Sequence, residues 1–256
     1  GVWVRIDANE MHTEGEITLE EAKKIAQVAE EEGVHAIAVS AYASIHKGSH
    51  FTDAPLVQKP AGYLEWVAQI KKEVNTPIIA LGRIEPEVGN KAIADGKCDF
   101  IAMGRKLLAD PELPNKLIAG KPETIRPCIY CYVCVSQIFS NERIKCAVNP
   151  FTGQEFQKSL APATQSKHLV IIGGGPAGME AARIAALRGH KVTLIERSNR
   201  LGGTLFFAAL AYPENGPLLD NLTAQVKELG VNILYNTAAT PELLQSLGAD
   251  EIFVAT

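Results

Sequence analysis

Four of the five cysteines of this chain lie within nineteen residues, and their spacing constrains the local fold more than any other feature. They follow the pattern C-x2-C-x2-C, with the fourth cysteine after eleven more residues: Cys128, Cys131, Cys134 and Cys146. Thiolates three residues apart can converge from one tight loop on an iron–sulfur cubane, and a fourth thiolate from a neighbouring turn completes the site. The spacing therefore predicts a [4Fe–4S] cluster held by these four cysteines.

Two other uses of the cysteines remain open from the residues alone. Zinc sites also use four cysteines, usually as two C-x2-C knuckles, whereas here three cysteines share one loop. Disulfides are typical of oxidising compartments, and the chain shows no secretory signal, so we expect a cytoplasmic protein with free thiols. The fifth cysteine, Cys98, stands alone before an apolar run, and we expect it to be an inert buried thiol.

The composition is that of an ordinary globular protein with room for two domains. The chain has 256 residues, of which 46% are hydrophobic and 21% charged, and its formal net charge is −4. No basic stripe suggests nucleic acid as a partner, and no apolar run is long enough to span a membrane. Because the sequence begins and ends within strand-like runs, we expect it to be an internal fragment of a longer protein.

The first 120 residues alternate apolar strand runs with amphipathic helices. The predicted strands are 2–6, 35–40, 77–81 and 99–103, and the predicted helices are 18–32, 62–74, 86–94 and 111–119. The first of these helices opens on a capping box, Thr18-Leu-Glu-Glu21. Four βα units in series predict a parallel sheet. No nucleotide-binding fingerprint occurs among them, which favours part of a (β/α)8 TIM barrel over a doubly wound sheet. Residues 121–160 are expected to have little regular structure, and 159–166 to form a linker.

Two of these predicted strands end in a Gly-Arg pair, Gly82-Arg83 and Gly104-Arg105. In a barrel the chemistry lies at the carboxyl ends of the strands, and the last loops often bind phosphate. Glycine lets the backbone approach phosphate oxygens, and arginine donates charge-assisted hydrogen bonds. The alternative is that each arginine pairs with a surface carboxylate. Arg5, at the predicted end of the first strand, either opposes an anionic ring or pairs with a neighbouring acid.

The second half opens on a stronger nucleotide-binding motif. An apolar strand leads into Gly173-x-Gly175-x-x-Gly178, then a helix, a second strand and, eighteen positions after the last glycine, Glu196. In this context G-x-G-x-x-G is typical of dinucleotide-binding domains, because the helix N-terminus faces the pyrophosphate and the acid binds the ribose. A βαβ unit without a ligand is the alternative reading. Glu196 disfavours binding of a 2′-phosphate, whereas the positive charge of the neighbouring Arg197 favours it.

In this order the motifs resemble the iron–sulfur branch of the Old Yellow Enzyme family, which includes 2,4-dienoyl-CoA reductase, enoate reductase and trimethylamine dehydrogenase. The resemblance covers essentially the whole chain and is most specific in GRKLLADPELPNKL, RPCIYCYVC, CAVNP, IGGGPAGMEAA and ERSNRLGG. It implies an α/β protein with the C-terminal half of an FMN-binding TIM barrel at 1–120. A [4Fe–4S] segment would follow at 121–160, and the start of a Rossmann-like FAD/NAD(P)-binding domain at 167–256.

The resemblance also implies roles for individual residues. Arg5 would face the N1/O2 edge of the flavin, and the two Gly-Arg pairs would hold the FMN phosphate. The cysteine spacing follows the amine dehydrogenase members, and Thr204 replaces the glutamine expected of the reductases. Catalytic residues are expected in the N-terminal half of the barrel and cannot be assigned. The residues matching the adenine-dinucleotide loop of FAD are Gly173, Gly175, Ala177, Gly178, Glu196 and Gly203.

The implied activity is NAD(P)H-dependent reduction of an activated C=C bond of the 2-enoate or 2,4-dienoyl-CoA type, in class EC 1.3.1. Electrons would pass from FAD through the [4Fe–4S] cluster to FMN, and the partner would be a small-molecule substrate. One alternative is an amine dehydrogenase that delivers electrons to an external electron-transfer protein. Another is an electron-transfer module with no substrate site. The sequence leaves it undecided whether the protein forms a homo-oligomer. The loop 46–57 is expected to help select the substrate.

Overall fold

The computed structural model describes residues 1–11, 14–43, 59–157 and 160–256, and the chain divides into two compact α/β units. The first unit comprises Gly1–Leu107 together with Tyr130–Tyr132. The second comprises Leu108–Ile129 together with Val133–Thr256. The loop 46–57 and the first residue of the predicted linker, Ser159, lie outside the described residues.

The first unit is built on a parallel four-stranded sheet with helices between the strands, which confirms the predicted βα alternation. The strands lie in the order β1-β2-β3-β4, and all three pairings are parallel. The elements are β1 (Trp3–Met11), α1 (Leu19–Glu31), β2 (Ala36–Ala43), α2 (Leu64–Lys71), β3 (Ile78–Ala80), α3 (Pro86–Ala94), β4 (Phe100–Ile101) and α4 (Arg105–Ala109).

Helix α1 begins where the sequence predicts it, at a capping box. The hydroxyl of Thr18 accepts from the backbone N–H of Glu21, and the carboxylate of Glu21 accepts from the backbone N–H of Thr18 at 2.8 Å. These two bonds satisfy backbone donors that the first turn leaves without an intrahelical acceptor. Ala22 and Ala26 then face inward and are fully buried against the sheet.

One face of the first sheet is covered by helices, and the other is exposed. Ile37 and Val39 of β2 pack into the core beneath α1 and α2. Residues that alternate with the core positions project from the opposite face, where Trp3 is 60% and Phe100 57% exposed. A sheet with large apolar side chains on an open face is typical of one that packs against, or closes with, further strands.

Two differences from the sequence prediction bear on the site residues. Strand β1 continues to Met11, so Arg5 lies in the middle of a strand and not at its end. The predicted helix 111–119 is present as α5 (Leu113–Ile118), which begins two residues later than predicted. The short helix before it, α4 (Arg105–Ala109), was not predicted, and between the two helices the side chain of Asp110 accepts from the backbone N–H of Glu112.

The second unit contains a parallel sheet in the order β7-β6-β5-β8. A short helix that the sequence analysis missed, α6 (Val133–Phe139), carries Cys134, so the cysteine segment is more regular than expected. The remaining elements are β5 (His168–Ile172), α7 (Pro176–Leu187), β6 (Lys191–Ile195), α8 (Thr204–Ala211), α9 (Gly216–Glu228), β7 (Asn232–Leu234), α10 (Pro241–Leu247) and β8 (Glu251–Val254).

A buried ion-pair network attaches the cysteine segment to α7. Both oxygens of Glu180 accept from the guanidinium of Arg126 at 3.3 Å, and from Arg183 at 2.9 and 2.7 Å. Arg126, two residues before Cys128, also donates to the carbonyl oxygen of Val148, two residues after Cys146. One carboxylate thus balances two buried guanidinium groups, and this arrangement fixes both ends of the segment.

Replacing Glu180 by alanine is expected to destabilise the second unit by about 3 kcal/mol, because two buried arginines lose their counterion. Urea unfolding followed by circular dichroism would measure the change. Asp220→Ala, which removes an exposed acid from α9, is the matched control and is expected to change the free energy of unfolding by no more than about 0.5 kcal/mol. Equal effects of the two substitutions would contradict this role of Glu180.

Candidate functional site

Three cations gather around the ring of Tyr130 in the first unit. The guanidinium carbon of Arg83 lies over this ring at 4.5 Å from its centroid, and that of Arg105 at 5.2 Å. The ammonium nitrogen of Lys106 lies 5.4 Å from the same centroid. Arg83 follows β3 and Arg105 follows β4, so the structure brings together the two arginines of the predicted phosphate grip at the carboxyl ends of adjacent parallel strands.

The backbone before Arg83 explains why glycine stands at position 82. Gly82 has φ of +105°, and a Cβ there would lie 2.6 Å from Cδ2 of Tyr63. Arg83 itself adopts a left-handed φ of 56° and is only 6% exposed. A Cβ at Gly104, by contrast, would meet nothing within 4 Å, so this glycine leaves open space at the start of α4.

One carboxylate takes part in this cluster. The carboxylate of Glu85 accepts from the Tyr130 hydroxyl at 3.1 Å and from the Lys106 ammonium at 2.5 Å. Glu85 therefore pairs with Lys106. Guanidinium groups such as those of Arg83 and Arg105 are of the chemical type that binds phosphate.

The structure places Arg5 away from the predicted end of its strand. Its Nε donates to the hydroxyl of Ser40 at 3.1 Å, and that hydroxyl donates in turn to Asp7. Ser40 therefore links Arg5 to Asp7, the neighbouring acid that was considered as a direct partner of Arg5. Arg5 lies on β1, which β2 separates from β3 in the sheet, and it projects from the face opposite the helices.

The second unit contains a cavity of about 830 Å³ at the carboxyl ends of β5, β6 and β8. In open parallel sheets, ligands bind at this edge, where connections to neighbouring strands leave in opposite directions. Residues from all three strand ends line the cavity, and they include five of the six predicted dinucleotide-binding residues: Gly173, Gly175, Ala177, Glu196 and Gly203.

Close backbone approach explains the glycines of the motif. Gly173 has φ of +108°, which favours glycine, and Gly175 is the N-cap residue of α7. Gly178, the sixth predicted residue, packs behind the cavity, where a Cβ would lie 1.8 Å from the carbonyl oxygen of Gly173. Gly203 approaches Gly175 so closely that its Cβ would lie 3.1 Å from the Gly175 Cα. The N-terminus of α7 is therefore open to the cavity.

Glu196 is held as an oriented, ionised acceptor at the cavity wall. The side chain is 9% exposed, and its two oxygens accept from the backbone N–H groups of Gly174 and Ser198, each at 2.8 Å. Burial alone would raise the pKa of Glu196, but hydrogen bonds from Ser198 and Gly174 and the charge of Arg197 outweigh it and lower the pKa. The carboxylate is thus positioned to accept further hydrogen bonds from ribose hydroxyls.

Several residues of these sites carry no pattern that sequence reasoning could recognise. Tyr130 lies between two predicted ligands in a stretch interpreted only as a cluster loop. Arg200 stacks over the ring of Phe206 at 3.9 Å from its centroid and lines the cavity. The segment Thr237–Ala239 also lines the cavity, after the short strand β7.

Cys98, Cys131 and Cys146 form no disulfide in this structure. Cys128, Cys134 and Cys146 belong to the second unit, and Cys131 belongs to the first. Among the described residues, no three cysteine, histidine or acidic side chains form a group that could hold a metal ion. The donor chemistry fits an iron–sulfur cluster or zinc, and the ligand set remains a prediction.

Cys98 is buried, as expected from its place before an apolar strand. It is 2% exposed and belongs to the apolar core of the first unit. Burial raises the pKa of its thiol, which disfavours the reactive thiolate.

In the part of the chain that the structure describes, no helix combines the length and the apolar character needed to cross a bilayer.

Comparison with known proteins matches two stretches of the chain to two families. Residues 1–124 match the NADH:flavin oxidoreductase / NADH oxidase family, and residues 168–239 match the FAD dependent oxidoreductase family. The chain is 43% identical over 211 residues to cinnamate reductase of Clostridium sporogenes, covering 81% of this chain and 32% of the relative. The chain therefore spans about a third of that protein's length.

Solved structures match almost the whole chain. A complex of 2-naphthoyl-CoA reductase with 2-naphthoyl-CoA superposes with a TM-score of 0.91 at 30% identity, covering 98% of this chain and 39% of that one. Histamine dehydrogenase from Rhizobium sp. 4-9 superposes with a TM-score of 0.90 at 25% identity, covering 99% and 37%.

The family matches define the class of protein as a flavin-dependent oxidoreductase. More closely, the chain belongs to the iron–sulfur flavoenzyme branch of the Old Yellow Enzyme family, as its motifs predicted.

Replacing Gly178 by alanine is expected to lower the affinity for ADP at least tenfold and to destabilise the second unit by about 1–3 kcal/mol, because the added methyl overlaps a backbone carbonyl. Isothermal titration with ADP would measure the binding. Gly216→Ala, at the first residue of α9, is the matched control, since a Cβ there meets nothing within 4 Å. Unchanged ADP affinity in the Gly178 variant would rule out this close approach.

Proposed function

We propose that this chain is the electron-transfer part of an NAD(P)H-dependent flavoenzyme that reduces an activated C=C bond of the 2-enoate or 2,4-dienoyl-CoA type. The observation that supports this most directly is that each unit gathers groups suited to anions at its strand ends, two arginines in the first unit and a glycine-lined cavity in the second. When bound, the cofactors would supply hydride acceptance at FAD, one-electron transfer at a [4Fe–4S] cluster and delivery of two electrons from FMN, with protons from solvent, to the C=C bond.

The first unit would hold the FMN phosphate. Arg83 and Arg105 supply donors at the carboxyl ends of β3 and β4, and the open space at Gly104 admits phosphate oxygens. The exposed apolar face of the sheet supports the view that this unit is the C-terminal half of a TIM barrel, since the inward-facing side chains of a barrel pack against those of other strands. Arg5 projects from that same face, where a flavin ring would meet its positive charge.

The second unit would hold the adenosine diphosphate part of FAD. The N-terminus of α7 faces the cavity and would attract the pyrophosphate, while Glu196 would accept hydrogen bonds from the ribose. The strand order β7-β6-β5-β8 supports the start of a Rossmann-like domain, because such sheets place the third, second, first and fourth strands side by side. An NAD(P)H-binding domain is expected elsewhere in the full protein.

An amine dehydrogenase is the second candidate, and the structural similarity to histamine dehydrogenase favours it. In that case a substrate amine would be oxidised at FMN, and electrons would leave through the cluster to an external acceptor. The two candidates can be separated on the full-length protein. Oxidation of NADH that depends on a 2-enoate such as cinnamate supports the reductase, whereas amine-dependent reduction of a dye supports the dehydrogenase.

Anaerobically purified protein is expected to contain about four irons and four acid-labile sulfides per chain, with no stoichiometric zinc. Cys134→Ser is expected to lose most of this iron, because it removes one of the four proposed thiolate ligands. Cys98→Ser, which changes a buried cysteine outside the motif, is the control and is expected to retain it. One zinc per chain without sulfide would instead make the cysteines a structural zinc site.

The cavity is expected to prefer ADP over its 2′-phosphorylated form by roughly tenfold or more, because ionised Glu196 accepts from a hydroxyl and repels a phosphate. Glu196→Gln is expected to reduce this preference. Since folding lowers the pKa of Glu196, the preference should hold above the ordinary value of 4.5 and disappear only as the pH falls below it. A preference at pH 8 that Glu196→Gln leaves unchanged would assign the discrimination to another group.

A further inference from the structure

We infer that Tyr130 is a positioning residue of the anion site in the first unit: its ring serves as one platform that orients the guanidinium groups of Arg83 and Arg105 toward the same phosphate. This inference rests on the proposed FMN site and adds a residue to it. The observation behind it is that both guanidinium carbons lie within 5.2 Å of the centroid of one ring.

A position over an aromatic ring does not itself use the N–H donors of an arginine. A guanidinium group is attracted to an aromatic ring through its flat face, whereas its N–H donors lie in the plane of the group. Contact with the Tyr130 ring would therefore restrict the rotation of each side chain without competing for the hydrogen bonds to a phosphate. Arginines that are oriented before the ligand arrives lose less side-chain entropy on binding.

The ring is itself held from several directions. The hydroxyl of Tyr130 donates to Glu85, and the same carboxylate receives the ammonium of Lys106. The aromatic ring of Tyr132 also lies near Arg105, with the guanidinium carbon 5.3 Å from its centroid. Tyr130 is 6% exposed, so these contacts form with little competition from water. The platform is consequently a fixed part of the first unit.

The backbone conformation at Tyr130 is one that few side chains adopt. Tyr130 and Tyr132 adopt left-handed φ values of 52° and 65°, a region that disfavours residues with bulky side chains. Such a conformation persists only where the surrounding contacts stabilise it, and the stack on two arginines with the Glu85 hydrogen bond supplies contacts of this kind. An aromatic ring at this strained position is thus explained by what it touches.

The inference predicts a loss of affinity that is specific to the phosphate of the flavin. Kd values for FMN and riboflavin would be measured by quenching of flavin fluorescence on flavin-free protein. Tyr130→Leu is expected to weaken FMN binding roughly tenfold, because two cation–π contacts are lost, and to leave riboflavin binding unchanged within about twofold. Tyr130→Phe keeps the ring and is expected to bind FMN within about threefold of the wild type.

Tyr130→Gly separates the loss of the ring from any disturbance of the backbone. Glycine accepts the left-handed φ without strain, so this variant is expected to fold at least as well as Tyr130→Leu and to show the same tenfold loss for FMN. Tyr212→Leu, which changes an exposed tyrosine of the second unit, is the control and is expected to leave both affinities unchanged.

The outcomes distinguish this inference from the proposed function. Wild-type protein that binds FMN no better than riboflavin would refute the phosphate site itself. A wild-type preference for FMN that Tyr130→Leu and Tyr130→Gly both retain would overturn only the role of Tyr130. Equal losses for FMN and riboflavin would also overturn it, since a general disturbance of the loop would then account for the effect.

Discussion

All pairings in both sheets are parallel, and this one constraint determines where the two candidate sites lie. In a parallel sheet every strand directs its carboxyl end to the same edge, so loops far apart in sequence meet there. Arg83 and Arg105 converge in this way from β3 and β4. Gly173, Glu196 and Ala255 converge in the same way from β5, β6 and β8.

The two candidate sites would attract anions by different physical means. In the first unit the positive charge belongs to guanidinium groups, which side-chain substitution can remove one at a time. In the second unit the attraction would come from the backbone, through the N-terminus of α7 and the glycines that let a ligand approach it. Substitution of these glycines acts through shape and not through charge, and for this reason a single methyl group at Gly178 is expected to disturb the site.

The sequence was most informative where a local rule determines the geometry. The capping box located the start of α1, and the glycine spacing located α7 and the cavity glycines, because both depend on neighbouring residues alone. Helix α4 escaped prediction because its five residues are too few to show a helical period. Helix α6 was missed because its residues were interpreted as a ligand loop.

Long-range contacts between side chains could not be predicted from one sequence. Tyr130 lies 47 positions from Arg83 and 25 from Arg105, and no periodicity or motif links residues at such separations. Arg126 and Glu180 likewise occur in segments that the motifs treat separately. The candidate cofactor-binding residues were predicted from their chemistry, whereas the side chains that contact them could be found only from the fold.

The ion pairs between Arg126, Glu180 and Arg183 couple the cysteine segment to the helix that follows the glycine motif. Because α7 supplies the carboxylate that pairs with Arg126, the segment has this anchor only where the βαβ unit around α7 is folded. A nucleotide bound at the N-terminus of α7 would stabilise that unit by mass action and would therefore strengthen the anchor as well. Ligand binding at one end of α7 would thus be felt by the backbone on either side of Cys128 and Cys146.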